Sequence, residues 1–138
     1  MKFFYIILFI SLSLANLYGN SDFFKEGVSH YEKKEFDKAK FKFEQDIVFN
    51  PKSEKSYLYL SKIFNKKNEE EQEEKNLNTV ILLNPKNEEA TFNLVQLKFK
   101  KSDFSESKKL IENLLNFCKD YCQKSIKLKT EIENSIKK

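Results

Sequence analysis

The apolar stretch at the start of the chain differs from everything after it. Lys2 is the only charged residue among the first 21, and an apolar run covers residues 3–15. These thirteen residues, at about 1.5 Å each, reach about 20 Å, which is short of the ~30 Å hydrocarbon core of a membrane. The pattern predicts a secretory signal peptide over residues 1–19, cleaved after Ala15 or Gly19. The alternative is an uncleaved N-terminal anchor, which would keep the protein close to a membrane.

Beyond residue 20, the apolar and polar positions recur with a period of 34 residues. The pairs at this spacing are Pro51 and Pro85, Ser53 and Asn87, and Leu60 and Leu94. Proline suits the end of a helical unit, and Ser or Asn suits the first cap of the next helix. A fixed period of this length predicts stacked helical units rather than one closed core.

The first unit resembles a tetratricopeptide repeat (TPR). Large apolar, small and aromatic residues fall where that family has them, at Phe23, Gly27, Tyr31, Phe36, Ala39, Phe43 and Pro51. Small residues let the paired helices approach, and aromatic residues fill the space beside them. The second unit departs from the pattern at Glu73, where the family has Ala, so its carboxylate is expected to tilt to solvent or to loosen the packing. The third unit has Thr91 in place of the early aromatic residue.

The resemblance implies an all-α fold, a right-handed α-solenoid. Its expected parts are three TPR-like helix-turn-helix units at 20–53, 54–87 and 88–121, followed by a capping helix at 122–138. Residues 120–123 read as a capping box that opens this last helix, and Ile126, Ile132 and Ile136 form its apolar stripe. Such a helix would close the open end of the stack.

Composition and charge narrow the function further. The formal net charge of +4 falls to about +3 without the first segment, and no basic cluster of the nucleic-acid type is present. His30 is the only histidine, and no partner for a metal site or a nucleophile–base pair can be named for it. No glycine-rich phosphate loop occurs. The sequence predicts no enzyme activity, no metal and no cofactor.

The acidic run NEEEQEEK, residues 68–75, stands at the turn between the two helices of the second unit. Glutamates are favoured near a helix N-terminus by the helix dipole, so a solvated helix start explains them. An acidic docking spot for a basic partner, or a weak cation site, is the alternative.

The resemblance also implies a concave groove lined by the first helix of each unit. The matching partner-binding positions are Phe24, Val28, Tyr31, Leu58, Lys62, Phe92, Gln96 and Phe99. Phe24, Leu58 and Phe92 would form an apolar row for a peptide ligand, with Lys62 at the rim favouring an acidic flank. The alternative is that these side chains fold into neighbouring helices.

Some members of the family bind the acidic C-termini of chaperones through a clamp of Lys, Asn and Arg side chains. The positions that match the clamp hold Phe24, Val28, Tyr59, Glu89 and Asn93. Two basic residues and two amides are therefore replaced, and the resemblance does not extend to that activity.

Both cysteines, Cys118 and Cys122, lie at the end of the third unit. In register with the other unit ends, Cys118 occupies the position of Asn50 and Asn84, and Lys119 replaces the closing proline. Two thiolates with no nearby His make a poor zinc site. We interpret the pair as a structural disulfide that ties the last unit to the cap, with free thiols as the alternative.

Together these features predict an exported scaffold or adaptor of the periplasm or cell envelope, which binds a protein segment in its groove. Two alternatives stay open. The apolar faces could build a homo-oligomer, or Cys118 and Cys122 could cycle between thiol and disulfide in a redox accessory protein.

Overall fold

The computed structural model of the chain describes residues 22–137, and within them it contains seven α-helices and no strand. The helices are α1 Phe23–Glu32, α2 Phe36–Phe49, α3 Glu54–Lys67, α4 Glu70–Leu83, α5 Glu88–Lys100, α6 Phe104–Leu115 and α7 Cys122–Ile136. The predicted signal peptide and its alternative, the anchor, lie outside the described residues. Within residues 22–137, no helix combines the length and apolar character needed to cross a membrane.

The helices form three pairs, α1–α2, α3–α4 and α5–α6, and α7 stands alone at the end. Each helix packs against the next along the chain, and α7 also touches α5. The first helices of successive pairs begin at Phe23, Glu54 and Glu88, so the second and third pairs start 34 residues apart. The all-α helical-repeat solenoid predicted from the sequence is confirmed for residues 22–137.

The turn inside each pair has the same backbone geometry. Lys34, Asn68 and Ser102, spaced 34 residues apart, adopt left-handed φ angles of 61°, 57° and 59°. In each turn the following amide donates to the carbonyl five residues back, as Glu35 does to His30 at 2.9 Å. This Schellman arrangement ends the first helix and reverses the chain. None of the three residues is glycine, so the residue types do not predict this turn.

Three apolar clusters join each unit to the next part of the stack. The first joins α2 to α3 through Ala39, Phe43, Leu60, Ile63 and Phe64. The second joins α4 to α5 through Leu77, Val80, Ala90, Leu94 and Leu97. The third joins α5, α6 and α7 through Val95, Ile111, Leu114, Leu128 and Ile132. Each unit therefore buries its apolar surface against its neighbour, which is the physical basis of a solenoid.

Gly27 allows a close contact between α1 and the Phe43 ring of α2. A Cβ atom at this position would lie 2.6 Å from Cε1 of Phe43, which is fully buried. Only glycine leaves room for the aromatic ring at that separation. The pairing of a small residue with an aromatic one, expected from the sequence, is thus made by direct contact.

The last helix differs from its prediction in two ways. Its buried residues are Ser125, Leu128 and Ile132, whereas Ile126 and Ile136 are 58% and 50% exposed. No capping box forms either, because α7 begins after Tyr121 with no side-chain cap. The apolar stripe is corrected because the turn before α7 sets which face of this helix meets the third cluster.

Candidate functional site

A polar cleft of about 460 Å³ runs across the first helices of the three units. We call it the central cleft. Its lining comes from α1, α3 and α5, with one residue from α4, and comprises Tyr31, Ser61, Lys62, Asn65, Lys66, Glu73, Glu89, Asn93, Gln96, Leu97 and Lys100. Nine of these side chains are charged or carry an amide or phenol group, if Ser61 and Leu97 are set aside. The cleft is thus suited to hydrogen bonding rather than to burial of apolar groups.

Three of the predicted groove residues, Tyr31, Lys62 and Gln96, line this cleft. The other five, which are Phe24, Val28, Leu58, Phe92 and Phe99, do not line it and pack against the apolar clusters instead. Phe24, Leu58 and Phe92 each pack, partly buried, against a different cluster, and the apolar row stays a prediction.

Aromatic neighbours explain where two of these rings lie. The ring of Phe24 packs against Phe43 and Tyr59, with both centroid distances at 5.8 Å. The ring of Phe92 packs against Tyr121, just before α7, at 5.4 Å. Packing between aromatic rings removes apolar area from water and adds a favourable ring–ring term, so these rings face the neighbouring helix.

Lys62 is at the cleft, as predicted, but its charge is already paired. Its ammonium lies 2.7 Å from the Glu89 carboxylate and 4.9 Å from the centroid of the Tyr59 ring. Lys100 is paired in the same way with Glu70 at 2.8 Å. Lys66 is the lining lysine that forms no ion pair within residues 22–137.

Other polar groups in the cleft also have no hydrogen-bond partner within residues 22–137. Asn65 donates its amide to Glu73, whereas the side chains of Asn93 and Gln96 form no hydrogen bond within residues 22–137. The Tyr31 hydroxyl is likewise without a hydrogen-bond partner there, although its ring packs edge-on against Tyr59 at 5.1 Å. Together with Lys66, these groups offer donors and acceptors to a ligand.

Glu73, the residue that departs from the TPR pattern, lies at the wall of the cleft. It is 4% exposed, so its side chain does not tilt to solvent. The Asn65 amide nitrogen donates to its Oε1 at 3.0 Å. Burial raises the pKa of the Glu73 carboxyl, against the opposing effects of the Asn65 hydrogen bond and the nearby Lys100 charge.

Two of the five glutamates of the acidic run, Glu70 and Glu74, are paired with lysines at the end of α5 or just after it. Glu74 pairs with Lys98 at 2.6 Å and with Lys101 at 2.8 Å, and Glu70 pairs with Lys100. These ion pairs join the second unit to the third, whereas Glu69 and Glu71 are exposed and form no ion pair within residues 22–137. No cluster of His, Cys, Asp and Glu within residues 22–137 could hold a metal ion.

Comparison with known proteins supports the fold at low sequence identity. No family model and no curated relative matches the chain. Among solved structures, the first TPR of Spaghetti (RPAP3) bound to an HSP90 peptide matches with a TM-score of 0.75 at 14% identity, covering 84% of this chain and 94% of that one. The TPR2B domain of yeast Sti1, in its pHsp70 complex, matches with a TM-score of 0.73 at 11% identity, covering 80% and 92%. The chain has the tetratricopeptide-repeat fold.

A third TPR match is the Sgt2 domain from Aspergillus fumigatus, with a TM-score of 0.70 at 18% identity over 84% of this chain and 80% of that one. The residues at the positions that match the chaperone clamp make contacts within the chain. Phe24, Val28 and Tyr59 pack against the first apolar cluster, and Glu89 is paired with Lys62. Of the five clamp positions, Asn93 and Glu89 line the central cleft.

The end of the TPR stack is closed by a disulfide and a carboxylate. Cys118 and Cys122 are bonded, with their Cα atoms 5.3 Å apart. The three residues between them point their backbone N–H groups at Glu88 on α5, with N···O distances of 2.8, 3.0 and 2.9 Å. Three converging N–H groups on one carboxylate form an anion-binding turn. Glu88, rather than a capping box of residues 120–123, accepts the hydrogen bonds from the turn before α7.

We expect the Glu88 carboxylate to make the stability of the TPR domain sensitive to acid. The backbone N–H donors, led by Lys119, hold the pKa of Glu88 below its usual range. A depressed folded-state pKa gives stability that is complete above the unfolded value of about 4.3 and is lost as pH falls through the folded pKa. Glu88→Gln should lower the melting temperature at pH 7 and flatten its fall below pH ~4.

Thermal melts followed by circular dichroism between pH 2.5 and 7 measure this effect. Glu112→Gln is the matched control, because Glu112 is exposed and forms no ion pair within residues 22–137. If Glu88→Gln and Glu112→Gln give the same pH curve as the parent chain, the carboxylate does not hold the turn.

Proposed function

We propose that the chain is a non-enzymatic protein-interaction module, whose central cleft holds an extended segment of a partner protein. The observation that carries the proposal is the set of uncommitted polar groups, the Tyr31 hydroxyl, Lys66, Asn93 and Gln96, on the first helices of all three units. Side-chain amides both donate and accept hydrogen bonds, which matches the alternating N–H and C=O groups of an extended backbone.

The size of the central cleft agrees with such a ligand. Its volume of about 460 Å³ lies in the range of about 300–1,000 Å³ that ligand pockets usually have. The segment is expected to lie against polar side chains, and not along the apolar row predicted from the sequence. An acidic flank of the ligand would meet Lys66, since Lys62 is neutralised by Glu89.

The fold comparisons support a peptide ligand but not a particular one. The matching structures of Spaghetti and Sti1 were solved with an HSP90 peptide and with pHsp70. Chaperone C-termini are poor candidates for this chain, because apolar or acidic side chains stand at four of its five clamp positions. A different partner segment is therefore proposed.

We propose further that the protein is exported to the periplasm or cell envelope. The apolar run at residues 3–15 supports this location, and so does the disulfide, because disulfides persist in oxidising compartments. Mass spectrometry of the protein from fractionated cells tests it. A soluble product that begins after Ala15 or Gly19 is expected, whereas a full-length chain in the cytosol would contradict export.

A second candidate function, self-association, is favoured by one observation. Val48 and Leu82 occupy the same repeat position and are 74% and 81% exposed. Exposed apolar side chains at a regular spacing suit contact with another copy. Analytical ultracentrifugation of the parent chain and of Val48→Ser/Leu82→Ser separates the two functions, because a monomer at high concentration excludes this one.

Peptide selection tests the proposed ligand class directly. A random library of displayed 12-residue peptides is panned on the immobilised protein, and the recovered peptides are measured by fluorescence anisotropy. Asn93→Ala/Gln96→Ala should weaken their binding about tenfold, since two hydrogen bonds at about 0.5–1.5 kcal/mol each are lost. Asn113→Ala/Gln123→Ala is the matched control, because both residues are exposed and outside the cleft. Equal affinity for both variants would contradict the proposal.

A further inference from the structure

Glu73 carries a charge at a repeat position where the other two units have small uncharged residues. The equivalent residues of the other two units are Ala39 and Ser107, and both are fully buried. Glu73 is also buried, at 4% exposure, although it carries a carboxylate. Burying a charged group costs free energy unless hydrogen bonds or an opposite charge compensate it. A small residue would fill the same position without that cost.

The compensation that the chain itself supplies to Glu73 is incomplete. Its Oε1 accepts a hydrogen bond from Asn65, but no Lys or Arg lies within ion-pair distance in the described part of the chain. Its Oε2 accepts no hydrogen bond there. This oxygen keeps some exposure to solvent, since it is not one of the fully buried side-chain atoms without a partner. Because Glu73 lines the central cleft, this second oxygen is available to a ligand.

The lysines that line the central cleft form no ion pair with Glu73 in the described part of the chain. Lys100 is close enough to influence the Glu73 carboxyl, yet its ammonium is paired with Glu70 at 2.8 Å. Lys62 is paired with Glu89. Two of the three positive charges in the lining are therefore matched by carboxylates, so the cleft does not strongly repel a further cation.

We infer that Glu73 determines the specificity of the central cleft by receiving a Lys or Arg side chain of the bound segment. The inference rests on the proposed function. A long basic side chain fits because its methylene stem can pack on the partly exposed ring of Tyr31, while its charged end reaches the carboxylate. A metal ion fits poorly, because it would need several more oxygen or nitrogen ligands than this site supplies.

We expect the Glu73 carboxylate to lower the stability of the domain when no ligand is bound. Burial raises the folded-state pKa of Glu73 above the unfolded value of about 4.3, so folding disfavours the ionised form. Stability therefore falls as pH rises through the folded pKa. Glu73→Gln keeps an acceptor for Asn65 and should melt at a higher temperature than the parent at pH 7. The difference should vanish below pH ~4. Any loss of binding in this variant would then not be due to unfolding.

The test uses the peptides recovered from the 12-residue library. Each peptide with a recurrent Lys or Arg is resynthesised with norleucine or citrulline at that position, which removes the charge and keeps the shape. On the parent chain, the neutral peptide should bind at least tenfold more weakly. On Glu73→Gln, the charged and neutral peptides should bind equally. Glu71→Gln is the matched control, because Glu71 is an exposed neighbour on the same helix with no ion pair in the described range.

Failure of this inference can be told apart from failure of the proposed function. Peptides that depend on Asn93 and Gln96 but bind Glu73→Gln as well as the parent would overturn the inference alone. The same conclusion follows if the recovered peptides share no basic position. If no recovered peptide depends on the cleft residues, both the proposed function and the inference are overturned.

Discussion

Phe43→Ala is expected to lower the free energy of unfolding by about 3–5 kcal/mol, which is the usual cost of removing a fully buried phenylalanine. The Phe43 ring is completely buried and packs against Tyr59 at 4.9 Å, against Phe24 at 5.8 Å and on Gly27. Truncation opens a cavity at the contact between the first and second units. Because a solenoid is held together by such contacts between neighbours, α1 and α2 should separate first.

Urea denaturation followed by circular dichroism at 222 nm measures this loss, since the chain has no tryptophan to serve as a fluorescence probe. Phe41→Ala is the matched control, because Phe41 lies on the same helix and is 57% exposed. Its effect should stay within about 0.5 kcal/mol. Equal losses for the two variants would show that the first cluster does not hold the units together.

We expect Ile132→Ala to cost about 2–5 kcal/mol, as truncation of a buried Ile does, and Ile126→Ala to be nearly neutral. Ile132 is fully buried in the third cluster beside Ile111 and Leu114, whereas Ile126 is 58% exposed. The pair separates two descriptions of α7. The stripe predicted from the sequence makes both residues important, and the structure makes only Ile132 important.

Urea titrations of both variants under oxidising conditions, with Cys118–Cys122 intact, measure the two losses. Ile136→Ala is a further control near the end of α7, where Ile136 is 50% exposed. A large loss for Ile126→Ala would mean that another face of α7 docks on the stack.

The repeat itself could be predicted because its determinants are local and recur at a constant spacing. Gly27, Ala39 and Phe43 have sizes that suit only a close helix pair, and the structure packs them together. Residue type did not predict the turn between the two helices of each unit, because that turn is defined by its backbone conformation. Lys34, Asn68 and Ser102 take left-handed φ at the same point of each unit, although no glycine marks the turn.

The candidate site could be predicted only in part. The register of the first helices brought Tyr31, Lys62 and Gln96 to the cleft. The same register suggested an apolar row at Phe24, Leu58 and Phe92, because equivalent positions lie one above another in a solenoid. Residue spacing does not determine whether a side chain faces the cleft or packs against the next helix. In this chain, Phe24, Leu58 and Phe92 each pack against a different apolar cluster.

By itself, the sequence determined the all-α repeat and its three units, because these follow from residue size, polarity and a constant spacing. Only the tertiary structure decided the state of Glu73 and the role of Glu88. Glu73 is buried and has one oxygen without a hydrogen-bond partner in the described residues, and Glu88 binds a turn that lies 31 to 33 residues further along the chain. The charge and hydrogen bonding of a carboxylate depend on what the fold brings near it, and no local pattern records those neighbours.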